Sequence, residues 1–140
     1  MWHKILVGLD GSEGANKALS VAVKLALECQ AELHSISVEE KLPHYAATVG
    51  EVVESKQEAA NYFRKLIAEA QQSARTSGVT LHGHVVPGHA VEAIVTFAKD
   101  GGFDLLVIGF MGHSKIFGRI WGSTSQNLAK LSPCMVLIVK

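Results

Sequence analysis

The stretch from Asp104 to Ser125, DLLVIGFMGHSKIFGRIWGSTS, decides the fold. It opens as a short apolar strand, Leu105 to Ile108, that ends on Gly109. Gly112 stands three residues on, and Gly122-Ser123-Thr124 opens the next element, a helix. A strand this uniformly apolar belongs in the middle of a parallel sheet covered on both faces, and its exit is the natural place for a site. Gly109 and Gly112 let backbone N–H groups approach a ligand with no Cβ in the way. Gly122 does the same just before a helix whose first amides have no intrahelical partners. Ser123, Thr124 and Ser125 add hydroxyl donors at the positive end of the helix dipole, where an anion gains about 0.3–1 kcal/mol even when exposed. Met111 lies inside the loop, and His113, Lys115 and Arg119 carry groups that suit phosphate. Each also has a plain structural reading, since glycine pairs are common in turns and basic side chains are common in solvated loops. The strand before, the helix after and the hydroxyl cluster at its start favour an anion site.

Outward from this stretch, the chain alternates. Before it, Thr80 to Val86 reads as a strand, Pro87-Gly88 as a turn, and about His89 to Lys99 as a helix closed by Asp100-Gly101-Gly102. After it, Pro133 interrupts and Met135 to Val139 forms a last strand. At the start, Lys4 to Leu9 is a strand running into Asp10-Gly11-Ser12, with Ser12 as N-cap and Glu13 in the first turn of a helix that continues to about Gln30. Ala15, Ala18, Leu19, Ala22, Val23 and Ala26 give that helix a narrow apolar stripe suited to close packing on a sheet. Glu32 to Val38 is the second strand. Residues 39–53 contain Pro43 and Gly50 without a firm period, and read as a loop or a partly helical lid beside the site. From Glu54 to Ser77 the pattern is helical, with Ala59, Tyr62, Phe63, Leu66, Ala70 and Ala74 inward and Gly78 as the stop. The βαβαβαβαβ order predicts one α/β domain over residues 1–140, a doubly wound parallel sheet with right-handed crossovers and helices on both faces.

The pattern Gly109-x2-Gly112-x9-Gly122-Ser123 resembles the nucleotide-binding signature of the universal stress protein A family, in its ATP-binding branch. KILVGLDGSE at the start resembles the family's first strand and acidic turn, and SPCMVLIVK its closing strand, so the likeness covers essentially the whole chain. The resemblance implies a five-stranded sheet in the order 3-2-1-4-5, of the adenine nucleotide alpha hydrolase-like type. It also implies ATP with Mg²⁺ as ligand, and a homodimer paired through the last strand. Asp10 and Gly109 would then lie at the crevice where the winding reverses, a ligand position in open α/β sheets. One departure is Met135, where many family members have a proline.

Composition narrows the classes. The 140 residues are 48% hydrophobic and 19% charged, enough for one domain with a real core. Thirteen basic and thirteen acidic residues give a formal net charge of +0, which argues against a general nucleic-acid or anionic-membrane binder. No apolar run reaches the roughly 18 residues of a membrane span, and MWHKILVGLD lacks the pattern of a signal peptide. A soluble, cytoplasmic protein is expected. Cys29 and Cys134 form no CxxC or zinc-finger spacing and read as buried free thiols.

Asp10 follows the first strand, where a carboxylate can accept from a ribose or help hold a cation; an Asp-Gly turn is its bland reading. Val38 aligns with the position whose backbone meets adenine in the family, and is equally an ordinary buried strand residue. His82 and His84 share one strand face, a spacing compatible with metal ligation, but no third ligand pairs with them in the sequence and no metal site is assigned. The patterns GxxxxGK[ST], GxSxG and GxGxxG after the first strand are absent. Binding is thus better supported than turnover. The expected function is nucleotide-dependent regulation of a stress response. Two alternatives stay open: slow ATP hydrolysis or autophosphorylation through Ser123, Thr124 or Ser125, with no general base to name, and a nucleotide-free interaction module.

Overall fold

Ile5, Leu6 and Val7 have no exposure at all, and they form the middle of β1 (Lys4–Gly8), the central strand of the sheet. The computed structural model describes residues 1–40, 49–110 and 121–140; for 49–55 and 121–123 it describes the backbone alone. Around β1 lie α1 (Glu13–Cys29), β2 (Glu32–Glu39), α2 (Val49–Thr76), β3 (Leu81–Pro87), α3 (Ala90–Asp100), β4 (Leu105–Gly109), α4 (Trp121–Leu131) and β5 (Met135–Val139). All pairings are parallel, and the strand order is β3-β2-β1-β4-β5. The sheet class expected from the element order, and the strand order that the resemblance implies, are therefore those observed.

Parallel pairing forces each crossover onto a face, so both faces are covered. One face carries Ile5, Val7, Leu33, Leu105 and Val107 against the alanine-rich stripe of α1 and the Ala70 and Ala74 side of α2. The other carries Leu6, Ile36, Leu106 and Ile108 against Ile94 and Ala98 of α3 and Leu128 of α4. A fully buried leucine or isoleucine contributes about 1.5–3 kcal/mol, so the two layers together account for why strands this short hold. The small side chains of α1 let it lie close to the sheet, as its stripe predicts: Ala18 and Ala22 are 0% exposed.

Helix ends follow their local chemistry. Ser12 caps α1, its Oγ accepting from the Ala15 amide at 3.1 Å. Gln30 ends it in the left-handed conformation at φ 54°. One boundary differs from expectation: α2 begins at Val49, five residues before Glu54. Gly50 reads as a breaker in the sequence, but it falls in the first turn, where the backbone amides have no intrahelical partner to lose. Residues 41–48 of the expected lid lie outside the described residues. The cysteines also differ. Cys29 and Cys134 are free but only partly buried, because one ends a helix and the other enters the edge strand β5.

Candidate functional site

The winding direction reverses between β1 and β4, which lie side by side with Ile5 opposite Leu105 and Val7 opposite Val107. The chain leaves both strands at the same edge of the sheet, Asp10 two residues beyond β1 and Gly109 at the end of β4. That edge gathers the C-terminal ends of all five strands, including Val38 near the end of β2. Helix α4 returns from it toward the start of β5, so its N-terminal turn, with Gly122, Ser123 and Thr124, opens on the side of the strand exits. Met111, Gly112 and His113, together with Lys115 and Arg119, lie outside the described residues.

The turn after β1 is held by two hydrogen bonds. Asp10 Oδ1 accepts from the Ser12 amide at 2.9 Å, closing an Asx turn, and Gly11 between them has φ 84°, a conformation that favours glycine. From above, the Tyr62 hydroxyl of α2 donates to the Asp10 carbonyl at 2.9 Å. A Cβ on Gly11 would run into that hydroxyl. Burial and then the Asp10 carboxylate push the Tyr62 phenol up, so it stays protonated as a donor. The turn reading of Asp10 is therefore realised, with the half-buried carboxylate fixed in place at the strand exit. The helical period puts Tyr62 on the inner side of α2; it is 45% exposed and reaches the turn instead.

Gly109 has an equally concrete packing role. A Cβ there would stand 2.5 Å from the carbonyl carbon and oxygen of Gly14 and 2.9 Å from the Ala15 amide nitrogen. Its smallness lets β4 meet the first turn of α1. Val38 is partly buried and packs on the α3 layer beside Val86. In α4, Thr124 is half-buried and Ser125 is 4% exposed, so of these two hydroxyls Thr124 is the nearer to solvent.

The chain matches the model of the universal stress protein family over residues 1–140. It belongs to that family. A universal stress protein of Bacillus subtilis, YxiE, is 32% identical over 148 residues, with all of both chains covered. Among solved structures, the universal stress protein UspA from Lactobacillus plantarum is 26% identical with a TM-score of 0.86, covering 99% of this chain and 98% of its own. A universal stress protein solved in complex with cAMP is 30% identical with a TM-score of 0.77, covering 99% and 97%. The likeness to universal stress proteins thus extends from one end of the chain to the other.

The histidines that share a strand in the sequence sit elsewhere. The register sets Leu6, His34 and His82 side by side on one sheet face, with His84 two residues along. His34 stacks on His84 at 5.2 Å between centroids and tilts against His82 at 4.7 Å. Its Nδ1 lies 2.9 Å from His84 Nε2, and its Nε2 lies 3.3 Å from Glu32 Oε1. Burial chiefly holds His34 and His84 below the ordinary imidazole value, so both are neutral near pH 7. The sequence offered no third group for His82 and His84. Strand pairing supplies two, Glu32 and His34, from residues that are remote in the chain.

Proposed function

We propose that this universal stress protein binds an adenine nucleotide, ATP with Mg²⁺, at the strand exits, and that occupancy is a regulatory state in a cytoplasmic stress response. The observation that carries the reading is the coincidence of two features at one edge: the reversal of winding between β1 and β4, and the first turn of α4 with Gly122, Ser123 and Thr124. The first is where open α/β sheets take ligands; the second turns the positive end of a helix dipole toward the same edge, a position that suits an anion. The universal stress protein solved with cAMP, 30% identical over nearly the whole chain, supports the adenine nucleotide class.

The groups present suit such a ligand. Val38 lines the adenine, and Asp10, already oriented by the Ser12 amide, accepts from the ribose. Gly109, Met111, Gly112, His113, Gly122, Ser123, Thr124 and Ser125 form the phosphate cradle. Mg²⁺ supplies charge neutralisation for the phosphates. We also propose a homodimer paired along β5, the sheet edge whose Met135 and Leu137 are 66% and 36% exposed. Free cysteines agree with a reducing compartment, and among the described residues no helix is long and apolar enough to cross a membrane.

Calorimetric titration with ATP and Mg²⁺, after mass spectrometry for co-purified nucleotide, tests the reading. About one nucleotide per chain is expected, with loss of binding in a folded Gly122→Val variant because the Cβ and its branches fill the approach to the amides. Unchanged affinity in that variant removes the phosphate cradle. No binding by the wild-type protein, with none already bound, makes the loop structural and leaves an interaction module. Release of phosphate over many turnovers, lost in Ser123→Ala, would make the protein a slow ATPase.

A further inference from the structure

At the far end of the sheet from the strand exits, the starts of β2 and β3 bring three imidazoles and a carboxylate together on the α3 face. We propose that Glu32, His34 and His82 form a binding site for a divalent transition-metal ion of the zinc type, with His84 positioning His34. One ligand atom from each of Glu32, His34 and His82 lies within 4.8 Å of the others. Donors about 2.0–2.1 Å from zinc at tetrahedral angles stand about 3.3 Å apart. The His34 Nε2 to Glu32 Oε1 distance is 3.3 Å. Only His82, which is exposed, has to close in.

The second observation is the partner of the other ring nitrogen. Metal-bound histidines pass their remaining N–H to an acceptor, which fixes the tautomer. His34 Nδ1 meets His84 Nε2 at 2.9 Å; in the tautomer that donates Nδ1–H there, the Nε2 lone pair faces the Glu32 carboxylate, whereas in the other tautomer Nε2–H donates to Glu32. A cation bound between them selects the first tautomer, because it satisfies both acceptors. His84 is in turn packed against Phe97 at 4.8 Å, and Phe103 meets the His34 ring edge-on at 5.1 Å, so two of the imidazoles rest against apolar walls. The mouth stays open: the Glu32 side chain is 62% exposed and that of His34 14%. An open mouth admits the ion and leaves a fourth position to water. Imidazole with carboxylate selects zinc, nickel or copper over magnesium or calcium, which prefer all-oxygen sites.

One charge opposes the site. Lys4 donates to the Gly101 carbonyl at 2.6 Å and lies over the Phe103 ring at 4.8 Å, a cation that offsets the single negative charge of Glu32. The neutral imidazoles therefore have to supply most of the affinity. The consequence for the fold is direct. Glu32 and His34 belong to β2 and His82 to the edge strand β3, so a bound ion ties the edge of the sheet to its neighbour across the first pair of rungs.

Zinc chloride titrated into the nucleotide-free full chain, read by competition with a chromogenic chelator, tests the proposal, with Co²⁺ as the spectroscopic probe. We expect about one ion per chain, the intense visible bands of tetrahedral Co²⁺, and a melting temperature that rises with zinc. Glu32→Gln and His82→Ala, both at exposed positions, should each weaken zinc at least tenfold, and the double variant should keep its fold and lose the Co²⁺ bands. Gly122→Val should leave zinc binding unchanged. Zinc bound equally by wild type and the double variant, or Co²⁺ that stays octahedral, overturns the site.

Discussion

Gly109 at the end of β4 faces the Gly14 carbonyl in the first turn of α1 so closely that a Cβ would lie 2.5 Å from its carbon and oxygen. Both neighbours are backbone, which cannot rotate away as a side-chain tip can. Gly109→Ala should therefore cost about 1–3 kcal/mol, the range for overpacking, and fall toward its upper end. Urea denaturation measures it. A cost within 0.5 kcal/mol, about the scatter of surface substitutions, would mean that α1 moves away freely.

Tyr62→Phe removes the hydrogen bond from α2 to the turn after β1. With the ring 45% exposed, the loss should lie near the lower end of the usual range, about 0.5 kcal/mol. The larger effect should fall on the ligand: a turn no longer held from above positions Asp10 less firmly, and ATP affinity should drop several-fold while Gly122 is intact. Equal ATP affinity in the two proteins by calorimetry counts against Asp10 as a contact.

Asp104 ties the start of the chain to the start of β4. Its carboxylate accepts from the His3 amide at 2.8 Å and the Lys4 amide at 3.0 Å. Burial pushes this carboxyl up, but the two amides and the charge of His3 outweigh it and hold it below the ordinary value of 3.8. A depressed folded value means stability that is complete above the unfolded value and is lost as pH falls through the folded one. Asp104→Asn should thus lower the melting temperature at neutral pH, by the equivalent of about 1 kcal/mol after discounting for solvent. The gap to wild type should narrow as pH falls below the ordinary carboxyl value of 3.8 and the folded carboxyl takes up its proton. A gap independent of pH would assign the loss to packing.

Ser35 lies in β2 between Val7 and Gly83, fully buried, and its Oγ has no hydrogen-bond partner among the described residues. An unpaired buried hydroxyl costs about 1–3 kcal/mol. Ser35→Ala should therefore leave stability unchanged or raise it, by up to about 1 kcal/mol, in thermal and urea melts. Marked destabilisation would reveal a partner for the hydroxyl.

Leu137→Lys puts a charge on the exposed edge of β5. If the edge is the dimer seam, the solution mass by light scattering should fall from two chains to one, with the circular dichroism of the fold retained. A mass unchanged by the substitution places the seam elsewhere.

What was legible in the sequence was what short-range chemistry determines. The apolar runs of β1 and β4, the Ser12 cap and the alanine stripe of α1 are each set by neighbours within a few residues, and they read correctly. The strand order came through the resemblance, not through periodicity. The misses are long-range or local exceptions. His34 and Glu32 join His82 only because β2 pairs with β3 in one register, which nothing within either strand announces. Tyr62 fits the inward period of α2, yet its hydroxyl is drawn to the turn after β1. At Gly109 what the sequence did not show is the contact with Gly14, which depends on where α1 lies.

The pairing of Ile5 with Leu105 joins positions one hundred residues apart. Closing a loop of that length costs about 4 kcal/mol in chain entropy from the length term alone. During synthesis at about 5–20 residues per second, β1 waits roughly 5–20 s for the strand that covers its second edge. Through that interval Ile5, Leu6 and Val7, which end with no exposure, can pair only with β2. A period of exposure therefore falls on the ribosome, before β4 has been made, and the wiring of the two central strands sets how long it lasts.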